Sequence, residues 1–186
     1  MSEKYDGLIF DCDGTLTDSM PLHYIAWRET MAAYGIDFTE ERFYAMGGMP
    51  TDRIVAVLAA EQSMELNARE VADEKESAFI ASIAKLLPRI DVCDIARAHH
   101  GRIPLAVASG SARNSVIQQL DHLRLTDLFD SIVASEDTTR HKPEPDVFLE
   151  AARRLGVEPV KCLVYEDSPL GIDAAIAAGM DYVDVR

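Results

Sequence analysis

Short apolar runs alternate along the chain with stretches whose apolar residues recur at helical spacing. The first run, LIF at residues 8–10, stops abruptly at Asp11 and Asp13 and turns at Gly14. Four more runs follow at 103–109, 131–135, 162–167 and 181–185. Helical patterns between the later runs cover residues 91–101, 111–123, 145–156 and 168–179. Strands that alternate with helices form parallel βαβ units, so the pattern predicts an α/β fold with a Rossmann-like, doubly wound parallel sheet.

Residues 17–87 break this alternation, because one helical pattern follows another without a strand between them. The four patterns cover residues 19–35, 39–48, 50–62 and 67–87. Asn67 and Glu70 are spaced as in a capping box, which marks the start of the fourth helix. We therefore predict two domains, an α/β core formed by residues 1–16 and 88–186 and an all-helical insert formed by residues 17–87.

The charge balance favours a soluble protein that does not bind nucleic acid. The chain has 18 Lys and Arg residues and 32 Asp and Glu residues, which gives a net charge of −14 at pH 7. This charge repels nucleic acid and anionic membranes, and no apolar run reaches the length of about 18 residues that a membrane span needs. The N-terminal residues lack the apolar core of a signal peptide, so we expect a cytoplasmic protein. Because the chain ends soon after the fifth strand, we also expect a monomer.

Polar residues with related chemistry stand where the predicted strands end. They are Asp11 and Asp13 after the first strand, Ser109 and Gly110 after the second, Lys142 in the loop after the third, and Glu166 and Asp167 at the end of the fourth. In a parallel sheet these ends lie at one edge, where ligands bind. Four carboxylates suit a hard cation such as Mg²⁺, and Lys142 with backbone N–H groups suits an anion beside it. Together they indicate phosphoryl transfer, although an Asp-x-Asp pair alone also occurs in turns, in caps and in metal-dependent glycosyl transfer.

Four stretches of the sequence resemble the motifs of a known enzyme family. DCDGT at 11–15, VASGS at 107–111, HKPEPD at 141–146 and YEDSPLGIDAAIAAGM at 165–180 are similar to the four motifs of the haloacid dehalogenase superfamily, in the same chain order. The helical insert after the first motif and HYIAW at 23–27 resemble the β-phosphoglucomutase and fructose-1-phosphatase branch. The resemblance implies a Mg²⁺-dependent enzyme that acts on a small phosphorylated metabolite, with a helical cap that closes over the site.

The resemblance also assigns the catalytic steps. It implies that Asp11 attacks phosphorus and forms an aspartyl phosphate, and that Asp13 donates a proton to the leaving oxygen and later takes one from water. For this role we expect the pKa of Asp13 to lie above that of a free aspartate. Lys142 is expected to hold phosphoryl oxygens and to keep Asp11 ionised, and Ser109 with Gly110 is expected to bind the phosphoryl group.

The metal ligands follow from the same resemblance. Mg²⁺ is expected to bind the Asp11 carboxylate, the backbone carbonyl of Asp13, and Asp167, with Glu166 as a direct or more distant partner. The cation offsets the repulsion between neighbouring carboxylates, which is about 4 kcal/mol for two charges about 4 Å apart at an effective dielectric constant of about 20.

Side chains of the insert are candidates for substrate contact. His23 and Trp27 are four residues apart and therefore lie on one helix face. By resemblance His23 contacts the substrate or the nucleophile loop, whereas Trp27 fits the core of the cap better than a substrate contact. Lys75 aligns with a lysine that reaches the substrate in β-phosphoglucomutases, and on sequence alone it is also an ordinary solvated helix charge.

The loop MGGMPTDR, residues 46–53, departs from the mutase pattern. β-Phosphoglucomutases carry an arginine three residues after the glycine that corresponds to Gly48, and this arginine binds the second phosphate of a bisphosphate intermediate. Here Thr51 holds that position, and Arg53 lies two residues further on. Without that arginine water becomes the acceptor, so we expect a phosphatase of small sugar phosphates such as fructose 1-phosphate. The alternatives are a β-phosphoglucomutase, which interconverts β-glucose 1-phosphate and glucose 6-phosphate, and a non-catalytic module that retains the fold.

Overall fold

The computed structural model describes residues 4–186, and at its centre is a sheet of five parallel strands. The strands are β1 Gly7–Phe10, β2 Leu105–Ala108, β3 Ser131–Val133, β4 Cys162–Glu166 and β5 Asp181–Asp184. Their order across the sheet is β3-β2-β1-β4-β5, and every neighbouring pair is parallel. The chain therefore builds the sheet outward from β1 first in one direction and then in the other. This is the doubly wound arrangement that the sequence predicts.

Eight α-helices lie within residues 4–186. They are α1 Met20–Ala33, α2 Glu40–Ala45, α3 Thr51–Glu61, α4 Ala68–Ala81, α5 Ile90–His99, α6 Arg113–His122, α7 Asp146–Leu155 and α8 Pro169–Ala177. Helices α1–α4 stand in the chain between β1 and α5 and are called the helical insert below. An α/β core with an inserted group of helices is thus confirmed. Across residues 4–186, no helix combines the length and the apolar character that crossing a membrane requires.

Helices cover both faces of the sheet. Leu8 and Phe10 of β1 pack in one apolar cluster with residues of α5 and α6, whereas Ile9 packs in another cluster with residues of α7 and α8. Successive side chains of a strand point to opposite faces, and burial of both faces explains why these strands are continuous apolar runs. Because both faces are covered, the polar side chains lie at the carboxyl ends of the strands.

The helical insert has an apolar core of its own. Trp27 and Met31 of α1, Phe38 and Phe43 near α2, and Val55 of α3 are buried in one cluster. Within the insert, α4 contacts both α1 and α3. The division of the chain into two domains at residues 16/17 and 87/88 stays a prediction.

The prediction of a capping box at the start of α4 is wrong. Asn67 does precede this helix, but its side chain makes no capping hydrogen bond. Its backbone carbonyl accepts the hydrogen bond of the Val71 N–H, as in any first helical turn. Asn67 is exposed, so water can satisfy the remaining N–H groups of the first turn without the side chain.

Candidate active site

The polar residues at the strand ends lie around one cavity. Its lining includes all seven residues that the sequence singles out in the α/β core, namely Asp11, Asp13, Ser109, Gly110, Lys142, Glu166 and Asp167. The parallel strands bring them together, because β1, β2 and β4 are adjacent and end at the same edge of the sheet. Residues more than 150 positions apart in the chain therefore share one site.

Lys142 is a buried cation held between two carboxylates. Its Nζ donates hydrogen bonds to Asp11 Oδ1 at 2.8 Å and to Glu166 Oε2 at 2.7 Å, and it lies 5.0 Å from the centre of the Phe148 ring. Burial by itself lowers the pKa of Lys142, but the charges of Asp11 and Glu166 outweigh burial and raise it above its ordinary value. The lysine therefore stays charged and is available to hold an anion.

Asp11 is 4 % exposed, and its pKa is raised well above the ordinary value. Burial is the main cause, followed by the negative charge of Glu166, and the attraction of Lys142 opposes both. Lys142 thus favours the ionised form of Asp11 but does not outweigh burial and the charge of Glu166, and its role in keeping Asp11 ionised stays a prediction. The lysine does pair with Asp11, but it is shared with Glu166 and neutralises only part of the cluster.

Three carboxylates are placed so that they could hold a metal ion. Oxygen atoms of Asp11, Glu166 and Asp167 all lie within 4.8 Å of one another. The pKa of Asp167 is raised to about 6, mainly by burial and then by the charge of Glu166. A donor set of oxygens only, with more negative charge than Lys142 can balance, fits a hard divalent cation.

Gly14 is required beside this cluster. Its φ is +82°, and a Cβ atom there would lie 2.2 Å from Asp167 Oδ2. Any other residue would both strain the turn and push the carboxylate out of the group. The turn after β1 thus sets the position of Asp167 as well as that of the two aspartates it carries.

Asp13 accepts hydrogen bonds from both the helical insert and the α/β core. Its Oδ1 accepts hydrogen bonds from Ser19 Oγ at 2.7 Å, His23 Nε2 at 2.8 Å and Gln119 Nε2 at 2.9 Å, and its Oδ2 accepts one from Ser111 Oγ at 2.6 Å. Burial alone raises the pKa of Asp13, but the interaction with His23 and the hydroxyl hydrogen bonds outweigh burial and lower it. The expected upward shift is therefore wrong, because four donors stabilise the ionised form in this arrangement.

His23 links Asp13 to Lys75. Lys75 Nζ lies 2.8 Å from His23 Nδ1, and because lysine can only donate, Nδ1 accepts and Nε2 carries the hydrogen that Asp13 receives. The imidazole ring stacks on Phe79 with ring centres 3.7 Å apart. Lys75 is 2 % exposed and also contacts Glu76 Oε1 at 3.1 Å, so it is not the solvated helix charge that the sequence allows.

The candidates on the insert do not all meet in one place. A second cavity, called the insert cavity, is lined by His23, Trp27, Gly48, Thr51 and Lys75, together with Asp13 and Ser111 from the core and apolar side chains such as Met20, Met46 and Ile54. Trp27 is at the same time part of the apolar core of the insert. Arg53 is exposed and lines a different cavity with Arg140 and His141. The structure therefore separates Arg53 from the other five candidate residues of the insert.

The insert approaches the loop after β2 very closely at two glycines, Gly48 and Gly110. A Cβ atom on Gly110 would lie 2.7 Å from the backbone oxygen of Gly48, which is closer than real Cβ contacts come. Glycine at position 110 therefore permits the two loops to touch. Gly48 lines both the insert cavity and the cavity around Asp11.

Two partners of Asp13, Gln119 and Ser19, were missed in the sequence. Gln119 is fully buried on α6 and contacts both Asp13 and the Thr17 hydroxyl. Its signal in the sequence is an amide three residues after Val116, on the buried face of the helix. In the sequence, Ser19 marks only the start of the helical insert, and Ser111 is only a polar residue of the VASGS motif. In the structure both hydroxyl groups donate to Asp13.

The fold and the carboxylate-rich site define a class of hydrolytic enzyme. The family model described as haloacid dehalogenase-like hydrolase matches residues 8–185, and the chain belongs to this family, as the sequence predicts. The chain is therefore an enzyme of this hydrolase family, and phosphatases are among its relatives.

Similar proteins include both phosphatases and mutases. The fructose-1-phosphate phosphatase YqaB of Escherichia coli is 41% identical over 186 residues, which are 100% of this chain and 99% of that protein. The β-phosphoglucomutase of Bacillus subtilis is 30% identical over 187 residues, covering 96% of this chain and 82% of that protein. A crystal structure of β-phosphoglucomutase from Clostridium difficile matches with a TM-score of 0.86 at 29% identity, covering 97% of this chain and 84% of that one. Family membership alone thus does not choose the acceptor of the phosphoryl group.

Proposed function

We propose that this protein is a Mg²⁺-dependent phosphatase of small sugar monophosphates, fructose 1-phosphate among them, that acts through an aspartyl phosphate on Asp11. The observation that carries the proposal is the buried contact of 2.8 Å between Lys142 Nζ and Asp11 Oδ1, beside the carboxylates of Glu166 and Asp167. This combination suits a phosphoryl group and a cation next to a nucleophile. The 41% identity to a fructose-1-phosphate phosphatase supports the substrate class.

The metal ligands in this proposal are Asp11, Glu166, Asp167 and the backbone carbonyl of Asp13. When bound, Mg²⁺ keeps the carboxylates ionised and neutralises charge on the phosphoryl oxygens. The raised pKa of Asp11 supports the need for such a cation, because a nucleophilic carboxylate must be ionised.

In the first step a carboxylate oxygen of Asp11 forms a bond to phosphorus, and the bond from phosphorus to the sugar oxygen breaks. Lys142, Ser109 and the backbone N–H of Gly110 hold the phosphoryl oxygens as charge builds up on them. Asp13 gives its proton to the leaving sugar oxygen. Asp13 takes up that proton while the insert is displaced, because His23 and Ser19, which belong to the insert, are among the groups that lower its pKa.

In the second step a water molecule attacks the phosphorus of the aspartyl phosphate. Asp13, now ionised, accepts a proton from this water, and the bond between phosphorus and the Asp11 oxygen breaks. Inorganic phosphate leaves, and both carboxyl groups return to their starting states.

The helical insert, residues 17–87, acts as a cap in this proposal. The close approach of Gly48 to Gly110 supports it, because a loop of the insert touches the loop that binds the phosphoryl group. Closure excludes bulk water, while the insert cavity holds the sugar beside Asp13.

Water is the acceptor rather than a second sugar hydroxyl. Thr51 donates a hydrogen bond to Glu76 at 2.6 Å, and Arg53 lies in a separate cavity with Arg140. Neither residue offers a cation that would retain a second phosphate in the insert cavity. Lys75 does line the insert cavity, but its Nζ already contacts His23 Nδ1 and Glu76 Oε1. The cavity therefore holds a bisphosphate poorly, which favours a phosphatase over a mutase.

The proposal is tested by phosphorus NMR of the purified protein with Mg²⁺. One sample receives fructose 1-phosphate, and another receives β-glucose 1-phosphate with a trace of glucose 1,6-bisphosphate, with the Asp11→Asn variant as control. Release of inorganic phosphate by the parent but not by the variant supports a phosphatase. Accumulation of glucose 6-phosphate without free phosphate instead identifies a mutase, and release that persists in the variant contradicts the role of Asp11.

A further inference from the structure

Gln119 of α6 is a buried amide with a partner at each end. The side chain is fully buried, Nε2 donates a hydrogen bond to Asp13 Oδ1 at 2.9 Å, and Oε1 accepts one from the Thr17 hydroxyl at 2.8 Å. Its helix neighbours Val116 and Leu120 pack in the apolar core. An apolar side chain would fill the same space and need no partners, so packing alone does not explain an amide here.

The direction of these hydrogen bonds is fixed by the groups that meet. An ionised Asp13 can only accept, so the NH₂ group of Gln119 faces it and the amide oxygen faces the Thr17 hydroxyl. Thr17 is itself tied to the turn after β1, because its N–H donates to the Cys12 carbonyl at 3.0 Å and its carbonyl accepts from the Gly14 N–H at 2.9 Å. Gln119 therefore binds both the turn that carries Asp13 and the side chain of Asp13.

The four donors to Asp13 come from two parts of the molecule. Ser19 and His23 belong to the insert and both donate to Oδ1. Gln119 on α6 donates to Oδ1 as well, and Ser111 in the loop after β2 donates to Oδ2. When the insert is displaced, as in the first step of the proposed reaction, Ser19 and His23 move with it. Gln119 is then the donor that still holds Oδ1.

The two oxygens of Asp13 meet different kinds of partner. The NH₂ group of Gln119 can only donate, so no proton can lie between it and Oδ1 on the carboxyl side. The Ser111 hydroxyl, 2.6 Å from Oδ2, can donate or accept and therefore tolerates both the ionised and the protonated carboxyl. Ser111 also lines both the cavity around Asp11 and the insert cavity. Oδ2 is thus the oxygen beside the space in which a substrate would lie.

We propose that Gln119 is a positioning residue, which holds Oδ1 of Asp13 from the core side while the insert opens and closes, and so leaves Oδ2 for proton transfer. The inference rests on the proposed function, because it concerns the acid and base steps of the same reaction. In the first step the proton passes from Oδ2 to the sugar oxygen as the bond from phosphorus to that oxygen breaks. In the second step Oδ2 takes a proton from the attacking water as the bond from phosphorus to Asp11 breaks. Gln119 itself neither gains nor loses a proton and touches no reacting atom.

The first test separates proton donation by Asp13 from a general loss of activity. Single-turnover reactions with enzyme in excess measure only the first step, through release of the leaving group. One substrate is fructose 1-phosphate, and the other is its analogue with sulfur in place of the bridging oxygen, whose thiolate leaves without a proton. Gln119→Met keeps the length of the side chain but removes the donor. In this variant release from fructose 1-phosphate is expected to fall about 100-fold, and release from the sulfur analogue less than about threefold.

Both substrates are compared on the same variant, so any loss of folded protein lowers both rates equally. Gln118→Met is the matched control, because it makes the same change on a half-buried position of α6 that is turned about 100° around the helix. It is expected to keep both rates of the parent. An equal fall for the two substrates in Gln119→Met, or no fall for either, overturns the inference.

The second test needs neither turnover nor a variant at position 119. NMR follows the side-chain amide protons of Gln119, one of which is shifted downfield and exchanges slowly while it is hydrogen-bonded to a carboxylate. In His23→Ala, which removes the imidazole of the insert from Asp13, the shifted signal is expected to persist. In Asp13→Ala it is expected to return to the ordinary range of amide protons. Loss of the shifted signal in His23→Ala overturns the inference, because the contact then depends on the insert.

Failure of the inference can be told apart from failure of the proposed function. If the parent releases phosphate but Gln119→Met slows both substrates alike, the inference is wrong and the phosphatase stands. If the parent releases no phosphate from sugar phosphates but the shifted signal persists in His23→Ala, the proposed function is wrong and the hold of Gln119 on Asp13 stands.

Discussion

Replacing Gly110 with alanine should separate the insert from the loop after β2, which we propose binds the phosphoryl group, while leaving the fold intact. The added Cβ would lie 2.7 Å from the Gly48 oxygen, whereas van der Waals contact begins at about 3.5 Å, so the two loops must move apart by roughly 0.5 to 1 Å. A misplacement of about 1 Å at a catalytic site costs on the order of 100-fold in rate, which corresponds to roughly 2.7 kcal/mol. Since the backbone at Gly110 does not have a positive φ, alanine fits the loop itself.

The assay is kcat/KM for phosphate release together with the melting temperature. We expect kcat/KM to fall about 100-fold with little change in melting temperature. Gly7→Ala is the contrasting variant, because its Cβ would meet a Val157 methyl group at 3.2 Å at the start of β1, away from the site. It should lower stability slightly and leave kcat/KM unchanged. Parent-like activity in Gly110→Ala would refute the reasoning that the two loops must touch.

Three further predictions follow from the buried groups of the site. Gln119→Leu removes a buried donor and should lower the free energy of unfolding by about 1–3 kcal/mol, and an unchanged urea midpoint contradicts this. Gly171→Ala places a methyl carbon 2.0 Å from Glu166 Cδ, so the carboxylate must move and kcat should drop at least tenfold in a steady-state assay. In the metal-free protein the pKa of Asp167 is raised from 3.8 to about 6. The folded state therefore binds the carboxyl proton of Asp167 more tightly than the unfolded chain does, and the protein loses stability as the pH rises from 3.8 to about 6. Mg²⁺ should therefore raise the melting temperature more at pH 7.5 than at pH 5, and an equal rise at both pH values contradicts the role of Asp167 as a ligand.

The local pattern of the sequence determined the sheet and the set of residues at its edge. Apolar runs as short as LIF could be assigned to strands because burial on both faces leaves no polar position within them. Parallel strands then put their carboxyl ends at one edge, so the grouping of Asp11, Lys142 and Glu166 followed from chain order alone. The pattern predicted the ends of the strands less accurately. The apolar run at 103–109 forms a strand only over Leu105–Ala108.

Only the tertiary structure decided the protonation of the site and the roles of the insert. The pKa of Asp13 is lowered by donors that arrive from α1, α6 and the loop after β2, and their distances depend on how segments far apart in the chain pack. Burial of Lys75 and the separation of Arg53 from the insert cavity likewise depend on packing. Helix and strand periodicity is a property of neighbouring residues, whereas hydrogen-bond geometry and electrostatic energy change within an ångström and are set by the assembled fold.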